Sequence, residues 1–271
     1  MSDALDGARA LAVAREAAQE AVASLKDAVA RTGRGQADEK APGDFVTEAD
    51  REAERRILAR ILAEYPEHSI LAEESGGHDR AGRWRWAVDP LDGTANYVHG
   101  FPAYAVSIAL FDRDDLALGL VVDVVRGEWF TARAGAGARV DTGNGRGEAL
   151  RVSSIDPSEG LLATGFPFRR PEEIDRYLGA FRALFERVSD MRRAGSAALD
   201  LAWTAAGRVE GFWEIGLNLW DIAAGELLVR EAGGRVSDWR GGGGHRVTGW
   251  IAAGGPAAHD LLLEVLGEWA P

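Results

Sequence analysis

The stretch Trp86–Gly100 reads WAVDPLDGTANYVHG. An apolar run, Trp86-Ala87-Val88, leads into two aspartates, Asp89 and Asp92, with Pro90 between them and Gly93-Thr94 directly after. An apolar run broken by Pro and Gly reads as a strand ending in a turn. Asp-Gly is an ordinary turn dipeptide, so a plain turn accounts for the pattern. A metal site accounts for it too. Two carboxylates at a strand end can hold a hard cation, and a helix opening at Thr94 would aim free backbone N–H groups at an anion. The stretch alone leaves both readings open.

Acids recur in the same kind of place elsewhere. Asp44 and Asp50 flank DFVTEAD, Glu73 and Glu74 end the apolar run SILA, and Asp221 sits in NLWDIAAG at the start of a helical pattern. Each has a local explanation. Thr47 with Asp50, and Asn218 with Asp221, have capping-box spacing, and acids in a first turn suit the helix dipole. Glu73-Glu74 before Ser75-Gly76-Gly77 suits a solvated loop. Taken together the acids say more. Strand ends converge on one rim of a sheet, where ligand sites form. Carboxylates gathered there repel one another and hold their protons unless a cation intervenes. Oxygen ligands without cysteine or a histidine pair favour Mg2+ or Mn2+ over zinc, and Mg2+ is commonly shared with a substrate phosphate. Carboxylates, cation and a phosphate seat at Gly93-Thr94 fit phosphoryl chemistry.

Composition narrows the classes. The chain has 271 residues, enough for one large domain or two closely packed ones. It has no cysteine, which excludes disulfides, thiolate chemistry and cysteine-ligated zinc. A formal net charge of −12 argues against a broad grip on nucleic acid. The N-terminus places acids where a signal peptide has bases, and no run approaches the length of a membrane span. A cytoplasmic location is expected. The five histidines are scattered and read as structural or solvated, and the nine tryptophans as core and interface filling. Arg192-Arg193 reads as an exposed pair, with a second substrate phosphate or a partner chain as alternatives. Asp112–Asp115 (DRDD) lacks calcium-loop spacing and reads as a turn.

Periodicity predicts helices over 4–31 and 48–63, joined by the polar, mobile segment 33–43, then strands over 69–72 and 84–88. Three antiparallel strands follow over 103–111, 116–125 and 128–132. Beyond 150, strands over 161–164, 209–214 and 248–253 alternate with helices over 172–188, 196–206, 219–231 and 256–268. The class is mixed α+β and α/β. Residues 1–150 form an N-terminal subdomain with an antiparallel sheet, residues 151–271 a C-terminal α/β subdomain, and the two act as one catalytic unit.

DPLDGTANYVHGFP (89–102) resembles the first signature of the inositol monophosphatase family, and WDIAAGELLVREAGG (220–234) the second. DFVTEAD (44–50), LAEES (71–75) and MRRAGSAALDLAWTAAGRVEGFWEIG (191–216) match in the same order. The segment 191–234 is most similar to the bacterial SuhB-like subgroup. Ala72 stands where the family often has glycine, and Tyr97 where it often has Phe.

The resemblance implies a layered α-β-α-β-α sandwich like that of fructose-1,6-bisphosphatase, a homodimer, and lithium-sensitive, Mg2+-dependent hydrolysis of inositol monophosphate without a phosphoenzyme. It implies two or three Mg2+ per site, with Mn2+ as an alternative. It gives Glu73, Asp89, the Leu91 carbonyl, Asp92 and Asp221 as metal ligands, Gly93 and Thr94 as phosphate-binding, and Asp50 with Thr94 as the pair that orients the attacking water. Asp92, Ser196, Ala197 and Glu214 correspond to substrate contacts, and Asp44 and Glu74 lie near the metals. Glu214 favours a polyol, because a carboxylate accepts hydrogen bonds from hydroxyls. Histidinol phosphate, fructose-1,6-bisphosphate and phosphoadenosine phosphate are alternative substrates. A regulatory partnership with transcription machinery is the alternative of another class.

Overall fold

The computed structural model describes residues 5–32, 38–41, 44–143 and 147–271, and within 31–46 only backbone. The first half runs α1 (Gly7–Thr32), β1 (Asp38–Ala41), β2 (Asp44–Val46), α2 (Glu48–Glu64), β3 (Ser69–Ala72), β4 (Trp84–Asp92) and α3 (Thr94–His99). It continues through β5 (Ala105–Asp112), β6 (Asp115–Asp123), β7 (Glu128–Arg133), β8 (Ala138–Asp141) and β9 (Glu148–Ala149). The second half runs β10 (Leu161–Thr164), α4 (Ile174–Phe185), β11 (Asp190–Arg192), α5 (Ala197–Ala205), β12 (Gly211–Glu214) and α6 (Leu219–Glu231). It ends with β13 (Arg235–Ser237), α7 (His245–Thr248), β14 (Ile251–Gly254) and α8 (Pro256–Leu266).

Strands β3 to β9 form a seven-stranded sheet in sequence order, antiparallel except for the parallel β3–β4 pair. A five-stranded sheet has the order β11-β10-β12-β14-β13, with β11, β10 and β12 parallel and β14 antiparallel to both its neighbours. Helices α1 and α2 cover one face of the larger sheet. Helices α5 and α6 lie between the two sheets, and α4 and α8 cover the far face of the smaller one. This is the α-β-α-β-α layering expected from the sequence.

Alternation along β5 shows why the layers hold. Val106, Ile108 and Leu110 enter the core under α1 and α2, while Ala105, Ala109 and Phe111 enter the core under α5 and α6. A strand buried on both faces reads as a continuous apolar run, as this one does. The outer core collects Trp213, Trp239, Trp250 and Tyr177, so these tryptophans do fill interior. Tyr97 uses its extra hydroxyl to donate to the Leu25 carbonyl of α1 at 3.0 Å.

Several boundaries depart from the sequence reading. The strand expected over 84–88 runs on to Asp92. The helix expected over 172–188 opens as a 3-10 turn at Pro171–Glu173 and ends at Phe185. The strand expected from 248 begins at Ile251, because His245–Thr248 form a helical turn closed by Gly249 at φ 72°. Strands β8, β9, β11 and β13 were not expected. The mobile segment expected over 33–43 falls largely outside the described residues, and its 38–41 part pairs with β2. Asp112–Asp115 is the two-residue turn expected between β5 and β6.

Helix α6 sits closely on β6 because Gly119 presents no side chain to it. A Cβ there would lie 2.6 Å from the Ala224 carbonyl oxygen, closer than any relaxed contact. Gly119→Ala is expected to push α6 away and cost about 1–3 kcal/mol, read as a fall of several degrees in Tm. An unchanged melt would refute the close packing.

Candidate active site

The site begins with a bulge. Strand β4 pairs with β5 so that Asp89 faces Ser107 and Asp92 faces Ala105. Three steps on β4 thus match two on β5, which leaves one extra residue at Pro90-Leu91. In a regular strand, residues three apart point to opposite faces. The extra residue cancels that alternation and turns both aspartates toward one cleft. Proline is tolerated in this central strand because a bulge needs no ladder N–H there. Gly93 follows at φ 92° as the N-cap of α3, a left-handed conformation open to glycine. The opening choice between a turn and a gathering of acids therefore resolves as both.

Strand register brings in the next acid. Ala72 of β3 pairs with Val88 of β4, and the Glu73 N–H donates to the Val88 carbonyl at 3.2 Å, setting Glu73 beside Asp89. Asp221 arrives on the first turn of α6, whose entry is held by a Ser107 hydroxyl bond to the Trp220 carbonyl at 3.1 Å. Asp89, Asp92 and Asp221 each offer a carboxylate oxygen within 4.8 Å of the others. Glu73, Leu91, Gly93, Thr94, Ser196, Ala197 and Glu214 line the same cleft.

Each aspartate commits one oxygen to local structure. Asp89 Oδ1 accepts the Leu91 N–H at 2.9 Å. Asp92 Oδ2 accepts the Ser196 hydroxyl at 2.6 Å and the Ala198 N–H at 2.7 Å, tying β4 to the start of α5. Asp221 Oδ2 accepts the Asn218 N–H at 2.7 Å. Asp50 Oδ2 closes the capping box on Thr47, accepting its N–H at 2.8 Å, while Oδ1 accepts the Thr94 hydroxyl at 3.0 Å. The same hydroxyl lies 3.1 Å from the Leu91 carbonyl. Asn96 stitches the seat from below, donating to the Ala103 carbonyl at 2.6 Å and the Ala194 carbonyl at 2.8 Å.

Burial and mutual repulsion raise Glu73, Asp89, Asp92, Glu214 and Asp50 above the ordinary carboxylate range. Burial, then the Asp221 charge, push Glu73 up to about 8 and Asp92 up to about 7. Asp89 is raised by burial and by Glu73. Burial, then Asp221, push Glu214 up to about 8. Asp50 rises to about 6, since burial outweighs its bonds to Thr47 and Thr94. Crowded oxygen donors of this kind fit a hard divalent cation, and among the described residues no histidine lines the cleft. Asp89, Asp92 and Asp221 are the residues that fit it best, with Glu73 adjacent.

Two cations reach this cleft, and the first, Arg169, carried no signal in the sequence. Arg169 Nη1 donates to Asp221 Oδ2 at 2.9 Å, and its Nη2 lies 3.5 Å from Glu73 Oε1. Arg193 is exposed, as expected, and it also lines the cleft, where it stacks over Phe166 and Phe168 at 5.1 and 5.5 Å from the ring centroids. Arg192 is exposed and paired with Asp190. Glu74 faces a separate shallow groove with Arg51 and Arg55. The expectation for Asp44 concerns a side chain outside the described residues.

A layered fold with a carboxylate-lined cleft at the bulged end of a central strand defines the class. The chain belongs to the inositol monophosphatase family, whose model matches residues 6–268. It is similar to Nus factor SuhB of Salmonella typhimurium, 46% identical over 230 residues and 84% of each chain. It is also similar to the crystal structure of the extragenic suppressor protein SuhB from Bartonella henselae, with 39% identity, a TM-score of 0.89, and 95% of this chain and 98% of that one covered. The inositol monophosphatase from Anabaena matches with 39% identity and a TM-score of 0.84 over 96% of each chain.

The raised carboxyls make stability depend on pH. Below the ordinary carboxylate range, near 4.5 for Glu73, both folded and unfolded chains hold the proton and the site costs nothing. Above it the folded chain binds more protons, so unfolding free energy falls with rising pH until about 8, where Glu73 ionises in the fold. In chelator, Tm is expected to fall from about pH 5 to about pH 8.5, less steeply in Glu73→Gln. Added Mg2+ should restore most at the alkaline end, because binding displaces the same protons. Identical slopes for the two proteins would refute the assignment.

Proposed function

We propose that the chain is a Mg2+-dependent phosphatase that hydrolyses small phosphate monoesters, inositol monophosphate among them. The observation that carries this reading is the buried Asp89-Asp92-Asp221 cluster set beside the Thr94–Asp50 pair. Asp89, Asp92 and Asp221, with Glu73 and the Leu91 carbonyl, would hold two or three Mg2+, or Mn2+. Such ions supply Lewis acidity, polarising a phosphoryl oxygen and acidifying water.

The protein's own groups do the rest. The backbone at Gly93 and Thr94 seats the phosphate. Water donates to Thr94 Oγ1, whose own proton points to Asp50 Oδ1, so the pair aims the nucleophile and draws off its proton. An Asp50 pKa of about 6 suits a base working near neutrality. Glu214 and the Ser196-Ala197 backbone meet the hydroxyls of the leaving alcohol. The water oxygen bonds to phosphorus as the P–O bond to the alcohol breaks, a second water protonates the departing alkoxide, and no phosphoenzyme forms. A homodimer, inhibition by Li+ and a cytoplasmic location go with this reading. Among the described residues, no helix is long and apolar enough to cross a membrane.

The name of the Salmonella relative, Nus factor SuhB, favours a second reading, association with transcription machinery. The two are compatible, since one uses the cleft and the other an outer surface.

Phosphate release from a monoester panel, with and without Mg2+ and Li+, tests the first reading. Asp50→Asn is expected to lower kcat about 10^2–10^4-fold with KM changed little. Asp89→Asn should abolish turnover while Tm in chelator holds or rises, because one of the repelling charges is gone. Mg2+-dependent turnover retained in Asp89→Asn would sink the proposal.

A further inference from the structure

Glu54 lies outside the cleft yet is only 3% exposed. It sits on α2 one turn beyond Asp50. Its Oε2 accepts the Glu74 N–H at 2.7 Å and its Oε1 accepts the Ser75 N–H at 2.9 Å. The loop that leaves β3 is thus gripped from both sides. On one side, the Glu73 N–H continues the parallel ladder to the Val88 carbonyl. On the other, a single carboxylate fork holds the next two peptide groups.

We propose that Glu54 is a positioning residue that aims Glu73 at the cation seat by clamping the 74–75 backbone. The inference rests on the metal-dependent reading of the cleft. The fork explains the residue type. A glutamine would offer one acceptor oxygen and turn an NH2 group toward a peptide N–H. An aspartate would fall short by a methylene. Buried carboxylates are rarely tolerated without such partners, and here both oxygens have one. The placement also links two halves of the chemistry. Residues four apart lie on one helix face, about 6 Å along the axis. That face holds Thr94 through Asp50 and Glu73 through Glu54, so one rigid turn of α2 fixes the water-orienting pair relative to the cation ligand. Partners that orient a ligand typically set metal affinity by about 10- to 100-fold.

The test uses full-length Glu54→Gln and Glu54→Ala. Calorimetric titration with Mn2+ alone should give a Kd raised about 10- to 100-fold over wild type. The Mg2+ needed for half-maximal phosphate release should rise by a similar factor. At saturating Mg2+, kcat should return to within a few-fold and substrate KM should change little. Amide hydrogen exchange across 73–77 should quicken. A residue that serves only stability would lower Tm and leave the metal Kd of the folded protein unchanged. If Glu54→Ala fails to fold, Glu54→Gln and its exchange rates carry the test. A Mn2+ Kd within two-fold of wild type in Glu54→Gln overturns the inference and leaves the phosphatase reading standing. A wild-type protein that binds no Mn2+ overturns both.

Discussion

Several carboxylates that cannot all be charged together share one buried cleft, and the rest of the structure answers to that constraint. Glu73, Asp89, Asp92, Glu214 and Asp221 line one cleft, with Asp89 and Asp221 almost fully buried in its floor. In such surroundings an isolated charge is far costlier than in solution, so acids keep their protons or acquire partners. This fold does both. It pushes Glu73, Asp92 and Glu214 up to about 7 or 8, and it sets the Arg169 guanidinium between Glu73 and Asp221. A site so arranged is held by the surrounding packing against its own repulsion, and its crowded oxygens fit a divalent cation.

The devices that gather the acids are the ordinary terminators of secondary structure. A bulge ends β4, a capping box opens α2, and the N-terminal turns of α5 and α6 receive Asp92 and Asp221. Each aspartate therefore has a structural oxygen bound to a backbone N–H or a hydroxyl. Local and functional explanations of these residues are two halves of one carboxyl group. The arrangement also confers rigidity, since an acid that caps a helix cannot rotate freely when its other oxygen engages a ligand.

That duality governs what could be read without coordinates. The long elements were legible because helical and strand periods persist over many residues in α1, α2, β5 and β6, whereas the layering came from the family resemblance. Strands β8, β9, β11 and β13 have two to four residues, too few for an alternation to register. Their existence depends on a neighbour offering an edge. The strand read from 248 takes in the last residue of α7, because Thr248 favours extended structure, and Gly249 decides otherwise by turning the chain. The acids were legible from their place at element ends. Arg169 was not, because it reaches Asp221 and Glu73 across 52 and 96 residues of chain from a loop without a motif. Glu54 was hidden for another reason. In REAERR it looks like one more charge on a solvated helix face, and only the fold of the 73–75 loop buries it.

The division of labour between the layers bears on selectivity. The floor of the cleft comes from β3, β4 and α6, and on the proposed reading its groups would act on any phosphate monoester that can enter. The walls come from elsewhere. Phe166, Phe168 and Arg169 follow β10, Arg193 and Ser196 precede α5, and Glu214 ends β12. On the proposed reading, a leaving alcohol meets these walls and the phosphate meets the floor. Burial and the Asp221 charge push Glu214 up to about 8, so it accepts from a hydroxyl in either protonation state and also donates when protonated. Arg193 stacks over two phenyl rings at the rim, which favours its charge lying beside the cleft. A second phosphate would gain from the arginines and lose little to a neutral Glu214, whereas a polyol gains from Glu214 in either protonation state. Choice among substrates therefore turns on the walls, of which Arg169 and Ser196 also bond the floor acids Asp221 and Asp92, so a change there reaches the floor as well.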